Sequence, residues 1–488
     1  MSLRSYIEEY YPRNKETWFK EEVNKSQNFK RINNMINIKE YLTGQHKIKS
    51  RVNESYNGRS FETRKIVLQY VKPILSFETS FLLSKPVTLC CDNEKTLNVY
   101  KTIYNEGRYN NTDFEIIDKL VKYGEVYEYL YLDDKGIIRS KLINSEDSYP
   151  VYDDFNNMVA FIEHFTINAI SYYIVYTDEK VYEYDNKGSE LNLRNVYNNL
   201  SGLPIVYKTD NEINPNYGRS DIEDYIDILD NMEDLLSKYM DSFYKYLNPI
   251  PVVKGTKLNI GGKGEGAINP SVVGYALQLD NDSDFSFVNS TMDYKSFDIL
   301  YKTLKQALLD ISMTPSVGLN NGEISNVSEV SIKMLYSMAC IKANMNRRYM
   351  IRGFIDRWDK IKRVLGYVGI SLEGNVDCIF DINIPQNEKE VIDNLKELND
   401  MGVISLDSLL ERCPYIYDVI SEKRKLKREE NEKNKANNKV NNSNLVNNED
   451  KQTLVKDSDK NRTEVVENDS DKGSKKGTRR GRRKREQK

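Results

Sequence analysis

The residues of this chain that could do chemistry are few and scattered. Its two histidines, His46 and His164, lie far apart, and neither has the His-x3-His or Cys-x-x-Cys company of a structural zinc site. The five cysteines, Cys90, Cys91, Cys340, Cys378 and Cys413, are an odd set with one adjacent pair. That spacing argues against a disulfide framework and for buried apolar side chains. A phosphate-binding loop is suggested by Gly261-Gly-Lys-Gly-Glu-Gly266, which follows a strand signal. A Walker loop needs a hydroxyl residue directly after its lysine and a helix whose amides face the phosphates. Gly264 stands after Lys263, and Asn269-Pro270 argues against a helix. Neither a cofactor, a metal nor an enzymatic activity is expected.

Charge is distributed more tellingly. Residues 422–488 carry 22 basic against 13 acidic side chains, whereas the whole chain has a net charge of −3, so the body is acidic and the tail basic. The tail lacks aromatic residues and ends in Lys475-Lys-Gly-Thr-Arg-Arg-Gly-Arg-Arg-Lys-Arg485. Its composition predicts disorder, and Arg479, Arg480, Arg482, Arg483, Lys484 and Arg485 could bind phosphates, bind an acidic protein surface, or simply solubilise. In the body, Asp221, Glu223, Asp224, Asp227, Asp230, Glu233 and Asp234 precede the first base, Lys238. Singly each reads as part of a solvated helix face; together they form a negative stripe.

These groups must be positioned by two kinds of element. Residues 1–56 read as short amphipathic helices, and 60–80 as another, with Pro73 a kink. Between 121 and 209 the period becomes two: Val126–Leu132, Ile137–Ile143, Val159–Phe165, Tyr172–Tyr176 and Lys180–Tyr184 alternate with Asp/Asn/Gly turns, an antiparallel meander. Ser220-Asp-Ile-Glu223 is a capping box opening a helix of about 28 residues, roughly 42 Å, that stops at Asn248-Pro249. Ile250–Gly255 and runs at 272–277 and 285–288 predict a small β insert. A second helix spans 292–312 and ends at Thr314-Pro315. Gly318–Gly322 reads as an open loop. A third, Met-rich helix of about 40 residues follows, with Gly353 a possible bend, and its face suits core or subunit packing. A polar helix from Pro385 to Gly402 and a short one capped by Ser405 complete the folded part. No run is long and apolar enough for a membrane span, and a cytoplasmic chain without a signal peptide is expected. The fold class is α+β, with 39% hydrophobic residues, enough for real cores.

The order of parts is distinctive: Tyr41-Leu-Thr-Gly44, Val71–Val87, the meander, Gly218-Arg-Ser-Asp-Ile222 with its acidic helix, Asn248-Pro-Ile-Pro-Val-Val-Lys-Gly255, the second helix, a Gly/Asn loop, the very long helix and Asn399-Asp-Met-Gly402-Val-Ile-Ser405. Over about 10–420 it resembles the portal proteins of tailed double-stranded DNA phages, specifically the siphophage branch common in Gram-positive hosts. The resemblance implies a dodecameric ring at one capsid vertex, assembled in the host cytoplasm, through which double-stranded DNA passes during packaging and ejection. It further implies a wing (1–218), stem helices (219–248 and 292–312), a clip (249–291), a tunnel loop (313–327), a long helix (328–366), an α-helical crown (367–421) and a disordered tail (422–488). Implied partners are the terminase large subunit and a head-completion adaptor at the clip, with Lys257, Lys263 and Glu265 as docking residues, and the major capsid and scaffolding proteins; no membrane is implied. Asn320, Asn321 and Glu323 would border DNA. The stripe residues Asp221, Asp224, Asp227, Asp230 and Asp234 would face the channel or a neighbouring subunit, since a conduit must let DNA slide rather than bind it tightly. Another virion connector or minor capsid protein is the alternative. A packaging ATPase or nuclease would need the nucleotide loop or metal cluster that the residues above do not supply.

Overall fold

The computed structural model describes residues 1–56, 59–246, 250–254, 284–288, 293–315, 333–382, 388–413, 415–416, 419 and 421–430. The chain divides into two compact units, Met1–Pro385 and Gln386–Lys488. It mixes helices with antiparallel sheets.

The first unit opens with helices α1 (Leu3–Tyr10), α2 (Trp18–Val23) and α3 (Ser26–Leu42), as the apolar spacing predicts. A hairpin, β1 (Glu54–Tyr56) and β2 (Arg59–Phe61), follows. The helix expected over 60–80 is α4, Val71–Leu82, and residues 62–69 are not helical. Pro73 lies in the first turn of α4, where a missing N–H costs nothing, so it starts the helix rather than kinking it. Strand β3 (Thr88–Cys91) and two helices that the pattern did not predict, α5 (Glu94–Gly107) and α6 (Tyr109–Tyr123), lead into the sheets.

All five predicted strands of the meander form, but they belong to two sheets. β4 (Glu125–Leu132) and β5 (Ile138–Ile143) join β11 (Ile205–Lys208) in the order β11-β4-β5. β6 (Ser148–Tyr152), β7 (Met158–Ile167), β8 (Ile170–Tyr176), β9 (Lys180–Asp185) and β10 (Asn192–Asn198) make a second sheet, ordered β10-β9-β8-β7-β6. Helices α1 and α2 bury Tyr6, Trp18 and Phe19 against that sheet, with the Phe19 ring 4.7 Å from Tyr184. Tyr127 and Phe161, 5.0 Å apart, join the two sheets through a third small core.

A 3-10 turn, Asp221–Asp224, precedes α7 (Ile226–Tyr246), so the predicted single helix is interrupted at Tyr225. Strands β12 (Ile250–Lys254) and β13 (Asp284–Val288) pair antiparallel, and α8 (Tyr294–Ile311) follows. The long helix α9 runs from Ser337 to Tyr367. Gly353 is not a bend: a Cβ there would lie 2.1 Å from Cε1 of Tyr207, so glycine lets α9 lie directly on β11. Strand β14 (Val376–Ile379) pairs with β3. The main core draws on α3–α9, β4, β11 and β14.

The second unit contains α10 (Glu388–Asp400) and α11 (Leu406–Arg412). The Gly402 N–H donates to Asn399 and the Val403 N–H to Leu398, with Gly402 at φ +68°, closing α10 in a Schellman motif. Ser405 accepts from the Ser408 amide and caps α11 as its position predicts.

Candidate functional site

The helix pair α7–α8 is held from below and from the side. At its foot Gly124 and Gly218 cross so closely that a Cβ on Gly218 would lie 1.8 Å from the Gly124 carbonyl oxygen. The Gly218 amide donates to Glu125 at 3.0 Å, and Glu125 in turn pairs with Arg31. That crossing explains why the acidic helix is introduced by Gly218-Arg-Ser. The predicted capping box does not close: the Ser220 hydroxyl accepts from the Ile222 amide at 3.2 Å and donates to the Lys122 carbonyl. Glu223 is drawn to Arg219 at 3.2 Å and accepts from Asn34, so it does not reach back to the cap.

Along the side of α7 lies the extended segment 62–69. Three of its alternate amides donate to side chains on successive turns: Leu68 to Glu233 at 2.7 Å, Ile66 to Ser237 at 3.0 Å and Arg64 to Asp241 at 2.9 Å. The match is geometric, since two extended residues advance about 6.6 Å and four helical residues about 6 Å. Glu233 also meets His46 Nδ1 at 2.6 Å, both groups fully buried, and the His46 ring stacks on Tyr41 at 3.7 Å. Burial raises the pKa of Glu233, while the Leu68 amide and His46 oppose that rise. One of the chain's two histidines is thus a structural tie. The other, His164, stacks on Tyr173 at 4.4 Å, and burial lowers its pKa.

Between the two helices Tyr239 stacks on Phe297 at 3.7 Å, and Tyr301 shares a 3.0 Å hydroxyl contact with Tyr70. The seven acids do not form one continuous stripe. Asp221 pairs with Lys342 on α9 at 2.6 Å, Asp224 with Arg219 at 2.6 Å and Asp234 with Lys238 at 2.7 Å. Asp230 is half-buried and its pKa is raised by burial, with Lys47 opposing. Asp227 is exposed and has no ion pair among the described residues. Two bases from outside α7, Lys342 and Arg219, pair with Asp221, Glu223 and Asp224 at the start of the run, and Lys238 of α7 itself pairs with Asp234.

Two buried charge clusters escape that reading altogether. Arg357 of α9 is fully buried and meets Asp113 of α6 at 2.5 Å and Glu128 of β4 at 2.9 Å. The hydroxyl of Tyr104 accepts from Arg357 at 3.0 Å, while Tyr207 donates to Glu128 at 2.7 Å. Burial pushes the Asp113 carboxyl up to about 6 against the pull of Arg357. In the second cluster, Glu78 of α4 is buried and both its oxygens lack a hydrogen-bond partner among the described residues. Burial, and then the neighbouring Asp221, push it up to about 8, with Lys342 opposing.

Among the described residues no group of three or more His, Cys, Asp or Glu side chains is placed to hold a metal, and no helix is long and apolar enough to cross a membrane. All five cysteines are free and half-buried rather than fully buried as expected. The thiol of Cys378 is pushed up to about 12, chiefly by burial. Asn320, Asn321, Glu323, Lys257, Lys263, Glu265 and the basic tail Arg479, Arg480, Arg482, Arg483, Lys484 and Arg485 lie outside the described residues.

Part of what remains exposed is apolar. On α8 Tyr294, Ile299, Leu300 and Ile311 face outward, and Met338, Ile341 and Met345 at the start of α9, with Met334 just before it, are exposed large apolar residues three or four positions apart. Met338 is 46% exposed and Ile341 50%. Ala339, Ala343 and Met350, on the other side of the same helix, are buried.

A chain whose charged groups act as structural ties and whose helix pair presents unpaired apolar surface is built for assembly. Residues 22–436 match the family described as phage portal protein, SPP1 Gp6-like, and the chain belongs to that family. The portal protein of Bacillus phage SPP1 is 21% identical over 387 residues, covering 73% of this chain and 74% of the relative. Among solved structures, the neck of the native GTA particle computed with C12 symmetry is similar at 14% identity, 70% of this chain, 88% of that chain and TM-score 0.41. The neck of the empty GTA particle computed with C6 symmetry is similar at 13% identity, 69% of this chain, 86% of that chain and TM-score 0.42.

Proposed function

We propose that this portal protein is the repeating subunit of a closed ring, dodecameric as the family resemblance implies, seated at one vertex of a phage capsid and threaded by double-stranded DNA. Its role is structural, without catalysis. The α7–α8 pair is the stem, β12–β13 belong to the clip where packaging and head-completion proteins dock, and the sheets with their N-terminal helices form the wing. Residues 367–421 belong to the crown.

The observation that carries the reading is the exposed stripe Met334, Met338, Ile341 and Met345 together with the outward face of α8. Solvent-exposed apolar surface of this regularity marks an interaction site, and a ring supplies each copy with the same neighbour on the same side. The acids fit the same picture: with Asp221, Asp224 and Asp234 paired inside the chain, Asp227 is left to face the channel or the next subunit. A wall without net positive charge lets DNA slide without the tight binding that phosphate neutralisation brings.

The test is substitution of the stripe. Burying one Ile or Met side chain at each subunit contact contributes about 1.5–3 kcal/mol, so Met338→Lys/Ile341→Lys should leave the chain folded by circular dichroism yet shift native mass spectra from closed rings to free subunits. Rings of unchanged size in the double variant would remove the stripe from the interface.

A further inference from the structure

The second place where the surface is unpartnered is the wing sheet. β10 forms one edge of the five-stranded sheet, and all seven of its residues are exposed. Leu193 (54% exposed), Val196 (46%) and Tyr197 are large and apolar. Natural edges are usually guarded by lysine, proline or a covering loop. This one carries a single charge, Arg194, which lies over its own sheet at 3.4 Å from Asp185 and 5.9 Å from the Tyr172 ring. One irregularity falls between Leu193 and Asn195, leaving Asn195–Asn198 in regular register.

Leu193 pairs across the ladder with Tyr184 and Val196 with Tyr182, which places all four on the same face. That face borders an open groove of about 1290 Å³ against α1 and α2, lined by Trp18, Phe19, Tyr182, Tyr184, Leu191 and Leu193. The charged rim has Glu8, Glu16, Asp178 and Glu179 against Arg4, Lys15 and the Met1 ammonium, the last engaged with Asp153 at 2.7 Å. Arg4 is engaged with Glu8 at 3.1 Å, and Asp178 with Arg363 at 2.6 Å. The remaining rim favours a basic occupant.

Two pairings of the edge with a second copy of this chain are ruled out. The opposite edge of the same sheet, β6, is closed: it contains Pro150, its Ser148 carbonyl is taken by Arg31, and four of its five residues are buried. Pairing β10 with the β10 of another copy requires a twofold axis, which neighbours in a larger cyclic ring do not share. This second argument rests on the ring reading above.

We propose that the β10 edge and its groove receive an extended segment of a different protein, apolar with one or more basic residues, which adds to the sheet as a further strand. Backbone groups of the added strand satisfy the open edge, and its alternate side chains extend the apolar face of Leu193 and Val196.

A fluorescein-labelled peptide of about ten residues alternating Val and Lys, long enough to cover the strand, is the probe for anisotropy and hydrogen exchange on the full chain. It should bind saturably and slow exchange within residues 193–198. A Val/Glu peptide, and the variant Leu193→Lys/Val196→Lys with the Val/Lys peptide, should each bind at least tenfold more weakly. Equal binding by wild type and variant, or no slowed exchange in β10, overturns the proposal. So does loss of ring assembly in the variant, which would assign the edge to a contact between copies. Assembly is read separately by native mass spectrometry: wild-type chain that protects β10 with the peptide but forms no ring refutes the ring reading and leaves the docking edge standing.

Discussion

Replacing Arg357 by methionine removes the cation from a cluster in which Arg357, Asp113 and Glu128 are all buried. Arg357 makes contacts of 2.5 Å and 2.9 Å to the two carboxylates. Methionine can fill part of the volume but leaves two acids facing each other in a low-dielectric interior. Breaking a buried pair from one side costs about 3–5 kcal/mol. Asp113, already pushed up to about 6, would take up a proton near neutral pH and soften the loss, so the lower part of that range is expected. Thermal and urea unfolding of the full chain, followed by tryptophan fluorescence, measures it directly because Trp358 adjoins Arg357. Arg357→Met/Asp113→Asn/Glu128→Gln should recover much of the loss, because no uncompensated charge then remains. Arg357→Lys should fall between, since a single ammonium cannot reproduce the fork. A loss below about 1 kcal/mol for Arg357→Met, or a triple variant no better than the single one, refutes the reasoning.

Glu78 sets a pH dependence of definite sign. Its carboxyl is raised from 4.5 to about 8 in the fold, so the folded chain holds a proton that the unfolded chain releases, and stability should fall as pH rises from about 4.5 to about 8 and then level. Glu78→Gln should flatten that slope in unfolding midpoints, and an unchanged slope would exclude Glu78 as its source. Gly353→Ala forces a methyl group to 2.1 Å from the Tyr207 ring and should destabilise by about 1–3 kcal/mol, read as a lowered unfolding midpoint. Ser237→Ala leaves the Ile66 amide without its acceptor. It should cost about 1–2 kcal/mol and quicken hydrogen exchange over residues 62–69 more than elsewhere.

The elements legible from sequence are those whose pattern is local. The strands from β4 to β9 that alternate cleanly are predicted, as are α7, α8 and α9 from their long apolar spacing, and the Ser405 and Gly402 signals lie where helices begin and end. Residues 62–69 mislead because Ile66 and Val67 look helical, while their backbone is held by side chains on a distant helix. Helices α5 and α6 are masked by their many Asn, Thr and Tyr residues, which weaken both propensity and contrast. The charge ties are the least legible: Arg357 lies 244 residues from Asp113 and 229 from Glu128, so nothing near it in the chain marks it as buried. The acidic run was legible as composition but not as electrostatics, because Lys342 and Arg219 reach it from outside the helix.

The central claim is that this chain is the wall of a ring. Electron cryomicroscopy of the purified full-length protein tests it most directly. The account predicts a closed ring with a central channel, the α7–α8 pair around that channel, and Met334, Met338, Ile341 and Met345 covered by the neighbouring copy. A monomer, an open filament, or a ring in which that stripe stays in solvent would contradict it.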